Sequence, residues 1–216
     1  MKTDSQLQQD VLAELKWEPC VTASKIGVEV ESGVVTLAGH VGSYSEKWHA
    51  ERAAQRVSGV GALAVELKVK LTGDGRTDAD IALSVESVLL WSTSVPDGAI
   101  KVMVENGFVT LTGNVGWQYQ RLAAADSIRA ISGVTGISNQ IAIKPAVSMS
   151  AVKGEIEAAL KRSASEDAKK ITVEVHGADV TLKGKVSSWA ERETATTSAW
   201  GTPGVRSVRD ELTLQY

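Results

Sequence analysis

Cysteine is almost absent from the 216-residue chain, in which Cys20 is the single example. One cysteine cannot close an intramolecular disulfide, and no cysteine or histidine motif gives it a partner for a metal site. Free cysteine is among the most often buried residue types, so a small, semi-buried side chain is expected here. The sequence therefore predicts a fold that depends on neither disulfides nor a metal.

Long apolar runs are missing as well. No stretch approaches the roughly 20 apolar residues of a membrane-spanning helix, and the first residues, Met1 to Gln6, lack the apolar segment of a signal peptide. Taken as written, the chain is expected in the cytoplasm, where it could meet the inner membrane as a peripheral protein. A periplasmic location would apply if an export signal had been removed.

Charge of one sign is not concentrated anywhere along the chain. Lys and Arg number 23 against 26 Asp and Glu, which gives a net charge of −3. A protein that binds duplex DNA normally carries a basic patch, so nucleic acid is not expected as a partner. With 43% hydrophobic residues, the composition is that of an ordinary globular protein.

The strongest feature of the sequence is a threefold internal repeat. Residues 26–69 align without gaps with residues 100–143 and with residues 171–214. The positions that are identical in all three copies are nearly all apolar residues or glycine, so the repeat preserves a core and its turns. We predict domains at residues 1–71, 75–146 and 147–216. The repeated glycines are Gly39, Gly113 and Gly184 in one position and Gly59, Gly133 and Gly204 in another.

Each copy has the pattern of helix, strand, strand, helix, strand. Leu7, Val11 and Leu15 give the first helix one apolar side, and residues 26–41 alternate as a β-hairpin does. Parallel strands joined through a helix require a crossover, which places both helices on one face of the sheet. The predicted fold class is α+β, with three tandem αββαβ domains, each a three-stranded sheet covered on one face by two helices.

Local differences between the copies predict local differences in structure. Asn106-Gly107 suits a two-residue hairpin loop, whereas the third copy moves its glycine to Gly177 and should form a slightly different turn. Ser43-x-x-Glu46 fits a capping box at the start of the second helix, but the second copy has Trp117 at that position and needs another cap. The connections between copies are short, so neighbouring copies are expected to touch.

These residues resemble a known family, the BON domain of bacterial osmotically inducible and nodulation proteins. In the first copy the motif reads Val35-Thr36-Leu37-x-Gly39-x-Val41, followed about 18 residues later by Gly59-Val60. The resemblance covers nearly the whole chain three times. It implies an αββαβ fold and a non-enzymatic role, usually attachment to phospholipid membranes or other envelope components in osmotic or general stress.

Catalytic chemistry has little support in the sequence. His40, His49 and His176 fall at non-equivalent repeat positions, and none belongs to a metal-binding motif. The one polar side chain identical in all copies, at Thr36 in the first, lies mid-strand and serves β-propensity. No enzyme activity, cofactor, metal or small-molecule substrate is expected.

Two groups of residues are candidates for contact with a membrane. The headgroup candidates are Lys161, Arg162, Lys169, Lys170, Lys183 and Lys185, where each cation near an anionic surface adds roughly 1 kcal/mol. Acidic residues interleave with them, so a solvated face is the competing interpretation. Trp17 and Trp91 are the interfacial aromatic candidates; their place at the border of the buried stripe favours the interpretation that they cap the core.

The sequence thus leads to a hypothesis and an alternative. The hypothesis is a non-enzymatic protein that binds a phospholipid surface or a membrane-associated partner, in osmotic or general stress. The alternative is a protein-interaction or chaperone-like scaffold that uses open sheet faces or grooves between copies and does not bind lipid. The specific lipid or partner and the oligomeric state are left open.

Overall fold

The structure is a computed structural model that describes residues 2–70, 75–144 and 171–215. The first copy contains α1 (Asp4–Trp17), a 3-10 turn (Ala23–Lys25), β1 (Ile26–Glu31), β2 (Val34–Val41), α2 (Tyr44–Arg56) and β3 (Ala62–Val69). The second contains α3 (Asp78–Leu90), β4 (Ile100–Glu105), β5 (Phe108–Val115), α4 (Gln118–Ile128) and β6 (Gly136–Ile143). The described part of the third contains β7 (Ile171–His176), β8 (Asp179–Val186), α5 (Trp189–Trp200) and β9 (Ser207–Leu214).

The predicted fold class is confirmed by three separate three-stranded sheets. In each sheet the middle strand of the copy pairs antiparallel with the strand before it and parallel with the strand after it. The register is the same throughout, since Val35 opposes Leu63, Val109 opposes Ile137, and Val180 opposes Val208. The predicted first helix of the third copy, with Val152, Ile156 and Leu160, lies outside the described residues.

The first two sheets bury their cores under two helices on one face, and α5 packs on the third sheet. Leu7, Val11 and Leu15 of α1 are buried as the helical spacing predicts, and they cluster with buried side chains of β2 such as Leu37. The second helix contributes small residues, Ala50 among them, which let it lie close to the sheet. Equivalent residues of the second copy form a second, separate cluster.

The capping box predicted at Ser43 and Glu46 forms only in part. The Ser43 hydroxyl accepts a hydrogen bond from the Glu46 amide at 3.1 Å, as a cap should. The Glu46 carboxylate, however, accepts from the amides of Gly42 at 2.7 Å and Thr22 at 2.8 Å, which ties the loop after α1 to the start of α2. In the second copy Gln120 accepts from the Trp117 amide, so the cap differs there as expected.

The hairpin loops follow the glycine positions. Ser32 and Gly33 both have positive φ, as do Asn106 and Gly107, whereas the third loop has positive φ at Gly177 alone. The different turn predicted for the third copy is therefore present. Sequence reasoning missed that in the first two copies the first helix caps the hairpin loop.

An aspartate at the start of the first helix holds the hairpin loop. The Asp4 carboxylate accepts from the amides of Ser32 and Gly33 at 2.8 and 3.0 Å. Asp78 makes the same pair of bonds to the second hairpin, at 2.8 Å each. These charge-assisted bonds tie the start of each helix to the hairpin that it covers.

The glycine in the middle of β2 is required by its surroundings. Gly39 has φ of +135°, and a Cβ at this position would overlap the carbonyl oxygen of Lys25. Gly113 has φ of +141° and the same relation to the carbonyl of Ala99. The glycine motif therefore lets the chain that enters the hairpin pass close against its return strand.

Gly39→Ala should destabilise the chain markedly, because the added methyl group meets backbone at a φ that other residues avoid. We expect a loss of about 2 kcal/mol or more in the free energy of unfolding, measured by urea denaturation. Gly27→Ala is the matched control in the same hairpin, since its Cβ would lie 3.6 Å from the nearest atom, an ordinary contact. Equal effects of the two substitutions would contradict this account.

Candidate binding surfaces

The second helices of all three copies line one cleft. The lining residues fall at three equivalent repeat positions. The first residue of each helix is Tyr44, Gln118 or Trp189, and the residue one turn later is Trp48, Leu122 or Glu193. The position near the end of each helix is Gln55, Arg129 or Trp200. The predicted contact between neighbouring copies is therefore present, and it is centred on the second helices.

The first and second copies are joined by aromatic side chains of α2. Tyr44 packs against the hydrophobic cluster of the second copy, and burial raises its pKa, an effect that Glu51 adds to and Arg129 opposes. The Arg129 guanidinium lies over the Trp48 ring, 3.7 Å from its centroid. A partly desolvated contact of this kind contributes on the order of 1 kcal/mol.

The third and first copies are joined at the same positions. Trp189, which corresponds to Tyr44, donates from its indole nitrogen to the carbonyl oxygen of Val60 at 3.0 Å. One turn later, Glu193 forms an ion pair with Arg52 at 2.8 Å. The first residue of the second helix therefore reaches a neighbouring copy in both joints.

The joint between the second and third copies closes the ring. Trp200 packs against the clusters of both copies, as Arg129 packs on the first copy from the equivalent position. Gln118 fills the position of Tyr44 and Trp189, and its buried Oε1 has no hydrogen-bond partner within the described ranges. Each joint thus involves a side chain of a second helix, and the three second helices form a ring around the cleft.

Charged side chains in this cleft are largely paired with one another. Arg192 binds Asp210 at 2.6 Å, and Arg56 binds Glu18 at 2.8 Å. Glu51 differs, because burial raises the pKa of its carboxyl group although Lys47 and Arg52 act in the opposite direction. The cleft joins the copies, and its described residues lack a nucleophile activated by a neighbouring base.

The two tryptophans at the ends of the first helices are exposed. Trp17 has 84% of its surface exposed and Trp91 has 83%, so the prediction that they cap the core was wrong. The physical reason is helical geometry, because each lies two residues after the last buried leucine and so about 200° around the helix. Both indoles therefore project into solvent at equivalent positions of two copies.

Exposed apolar side chains concentrate in the second copy. Eight of the ten large apolar side chains exposed in the described part of the chain belong to it. Leu83 and Leu90 lie on one side of α3 and line a groove closed by Val95 and Pro96, with Glu86 among its acidic lining residues. A comparison of the copies could have found this surface, since Gln9 and Lys16 occupy the positions of Leu83 and Leu90 in the first copy.

Only two of the six headgroup candidates lie among the described residues. Four of them, Lys161, Arg162, Lys169 and Lys170, lie outside the described residues. Lys183 binds Glu174 at 2.7 Å, and this hydrogen bond raises the pKa of Lys183. Lys185 is exposed two residues farther along β8, so the described residues bring only this pair of candidate cations onto one strand.

The loop after α1 carries the single cysteine. Cys20 is exposed, not semi-buried as expected. It lies in a turn closed by a hydrogen bond from the Val21 amide to the Glu18 carbonyl at 3.1 Å. Within the described ranges, no helix is long and apolar enough to cross a bilayer.

The chain is similar to one known protein family and to a bacterial protein. A model of the family described as the BON domain matches residues 3–70, 77–145 and 149–216. The chain is 29% identical over 146 residues to osmotically-inducible protein Y of Escherichia coli (strain K12), covering 65% of this chain and 73% of that protein. The repeat therefore matches one known family, and part of the chain is similar to an osmotically inducible bacterial protein.

Solved structures give a weaker comparison. CdsD, a structural protein of the type III secretion system of Chlamydia trachomatis, is 16% identical, with 97% of this chain and 92% of that chain covered and a TM-score of 0.27. Its C-terminal domain is 14% identical with full coverage of both chains and a TM-score of 0.26. Scores this low carry no argument about this chain.

Trp48→Ala should destabilise the chain, because it removes the ring on which Arg129 packs between two copies. We expect a loss of roughly 2 kcal/mol in urea denaturation, since a partly buried aromatic side chain is lost. Trp17→Ala is the matched control and should change stability by less than about 0.5 kcal/mol, because that ring is exposed. Similar losses for both variants would show that the joint does not stabilise the fold.

Glu51→Gln should stabilise the chain near neutral pH. Because burial raises the pKa of Glu51, its ionised form is less stable in the folded chain than in the unfolded one. Wild-type stability therefore falls as pH rises from the ordinary carboxyl pKa through the raised folded pKa. We expect the urea midpoint of the variant to exceed that of the wild type at about pH 7 and to approach it at about pH 4.

Glu46→Gln provides the control of opposite sign. Burial opposes the shift, but hydrogen bonds from Gly42 and Thr22 lower the pKa of Glu46, so its ionised form stabilises the fold. That contribution is present above the ordinary carboxyl pKa and is lost as pH falls through the lowered one. This variant should be less stable than the wild type at neutral pH. The same sign for both substitutions would contradict the electrostatic account.

Proposed function

The chain belongs to the BON domain family, whose domain it carries in three copies. From this premise we propose that it is a non-enzymatic protein that attaches to phospholipid membrane surfaces in osmotic or general stress. The stress role is supported by the similarity to an osmotically inducible protein. A non-enzymatic role is supported by the repeat itself, because its identical positions form cores and turns. The attachment is argued below from the exposed tryptophans.

The observation that carries the proposal is the exposure of Trp17 and Trp91 at equivalent positions of two copies. Each lies at the C-terminal end of the first helix of its copy, Trp17 as the last residue of α1 and Trp91 directly after α3. An exposed indole at a helix end can enter the headgroup region of a bilayer with its N–H edge in the polar layer, and two such sites on one chain add their contributions.

The third copy has a basic residue at the position of the two tryptophans. The position equivalent to Trp17 and Trp91 is Arg162, one of the headgroup candidates outside the described residues. A cation at that position complements two indoles, since anionic lipids add roughly 1 kcal/mol per basic residue near the surface. The indoles supply the apolar part of the binding energy, and the basic residues of the third copy supply its dependence on lipid charge.

A specific observation favours a second candidate function, which is binding of another protein. The groove beside α3 is lined by Leu83, Leu90, Val95 and Pro96, and its charged lining residues are Glu86 and Asp97. An acidic rim repels anionic lipid headgroups and suits a peptide that carries apolar and basic side chains. In this alternative the chain is a scaffold or chaperone-like protein.

Liposome flotation should distinguish the two candidates. We expect the wild type to float with vesicles that contain phosphatidylglycerol, in proportion to anionic lipid and less at high salt. Trp17→Ala/Trp91→Ala should reduce partitioning at least about tenfold, because even partial insertion of two rings exceeds the roughly 1.4 kcal/mol of one decade. Leu83→Ala/Leu90→Ala is the matched control and should float like the wild type.

The same assay contains the outcomes that would reject the proposal. A wild type that does not float at any lipid charge, or a tryptophan variant that floats unchanged, would reject attachment through the indoles. Loss of flotation in the groove variant alone would move the contact to α3. Lys169→Glu/Lys170→Glu tests the headgroup candidates, since a charge reversal at a real contact should weaken binding most at low salt.

A further inference from the structure

Three potential metal ligands of different types meet beside the loop after α1. Glu18 offers a carboxylate oxygen, Cys20 a sulfur and His49 an imidazole nitrogen, and these atoms lie within 4.8 Å of one another. The His49 Nδ1 is 3.9 Å from the Glu18 Oε1. Glu18 and Cys20 follow α1 whereas His49 lies on α2, so the packing of the two helices creates the cluster.

The backbone that carries Cys20 is fixed at both ends. Pro19 is the second residue of a turn closed between Glu18 and Val21, where proline has the φ that the turn requires. One residue farther on, the Thr22 amide donates to the Glu46 carboxylate of α2 at 2.8 Å. The loop is therefore held against the helix that carries His49, and the ligand atoms are brought together before any ion binds.

The two carboxylate oxygens of Glu18 face different partners. Arg56 donates to Oε2 at 2.8 Å, while Oε1 is the atom nearest to His49. Arg56 also binds Glu14 at 2.9 Å, so part of its charge is neutralised by a second carboxylate. An arginine on the far oxygen orients a carboxylate ligand in the way that outer partners orient ligands in metal sites.

The cluster exists in one copy alone. The positions of Glu18, Cys20 and His49 are Ser92, Ser94 and Ala123 in the second copy and Ser163, Ser165 and Thr194 in the third. The described second copy keeps the same fold with none of the three ligands. The fold therefore does not need these side chains, and their convergence in the first copy calls for a function of its own.

We propose that Glu18, Cys20 and His49 form a binding site for a divalent zinc ion, with a fourth position open to water or an external ligand. A thiolate with an imidazole and a carboxylate suits a borderline-soft ion, whereas magnesium and calcium prefer oxygen ligands alone. Ordinary zinc bond lengths place ligand atoms about 3.3–3.6 Å apart in a tetrahedral site. The cluster must therefore contract by about 1 Å, which rotation of the exposed Cys20 side chain can supply.

The spacing explains why the sequence did not reveal this site. Metal motifs are recognised when ligands follow one another at short intervals, such as two cysteines separated by two residues. Here two ligands lie in one turn and the third follows on another helix, more than twenty residues later. The site borders the cleft between the copies, since Glu18 and His49 also line that cleft.

Metal titration of the full chain, reduced and stripped with a chelator, tests the proposal. We expect one zinc ion per chain in calorimetry, with protons released as the thiol ionises. Cobalt in place of zinc should give a thiolate-to-cobalt charge-transfer absorption. Cys20→Ser and His49→Ala should each weaken binding at least about 100-fold, and the first should abolish that absorption.

Matched controls separate this site from casual binding to surface histidines. His40→Ala and His176→Ala remove the other two histidines and should leave affinity and stoichiometry unchanged. Circular dichroism of each variant without metal should match the wild type, because the equivalent positions of the second copy lack all three ligands. Zinc binding that is absent in the wild type, or that persists in Cys20→Ser and His49→Ala, would overturn the proposal. One ion per two chains would also overturn it.

Discussion

The contact on which the structure depends is the burial of side chains of each second helix against a neighbouring copy. A three-stranded sheet with helices on one face encloses a modest core and leaves the far side of its second helix uncovered. Tyr44, Trp48, Trp189 and Trp200 lie on that side, and each is covered by another copy. The repeat therefore specifies three small cores, and the aromatic residues between them make one body.

The exposed features differ from copy to copy. Trp17 and Trp91 are exposed at equivalent positions of the first two copies. The second copy has an apolar groove, and the first copy has a cluster of metal ligands. The copies thus share one fold and core pattern and differ in their surfaces.

Much of the fold could be predicted from the sequence because it is encoded in periodicity. The spacing of Leu7, Val11 and Leu15 and the alternation through the hairpin identify buried faces directly, and Gly177 reveals its altered turn. The surfaces were harder to predict, because they depend on angles and distances between segments. The interpretation that Trp17 caps the core rested on its closeness in sequence to Leu15, although two residues of helix turn it to the opposite side.

The ring and the metal ligands were beyond sequence reasoning for the same reason. Arg129 and Trp48 meet across two copies, and Cys20 and His49 meet across two helices, so neither pair leaves a local pattern. Only differences between copies carried a signal, such as leucines in α3 where α1 has polar residues. A repeat is thus most informative about function at the positions where it is not repeated.

A double-mutant cycle between Trp48 and Arg129 tests the ring most directly. Trp48→Ala, Arg129→Ala and the double variant would be compared by urea denaturation. If the second helices join the copies, the sum of the stability losses of the two single variants should exceed the loss of the double variant. The difference, the coupling energy, should be about 1 kcal/mol, as expected for a cation over an aromatic ring. Strict additivity, with no coupling between the substitutions, would mean that this contact does not join the first two copies and would contradict the account.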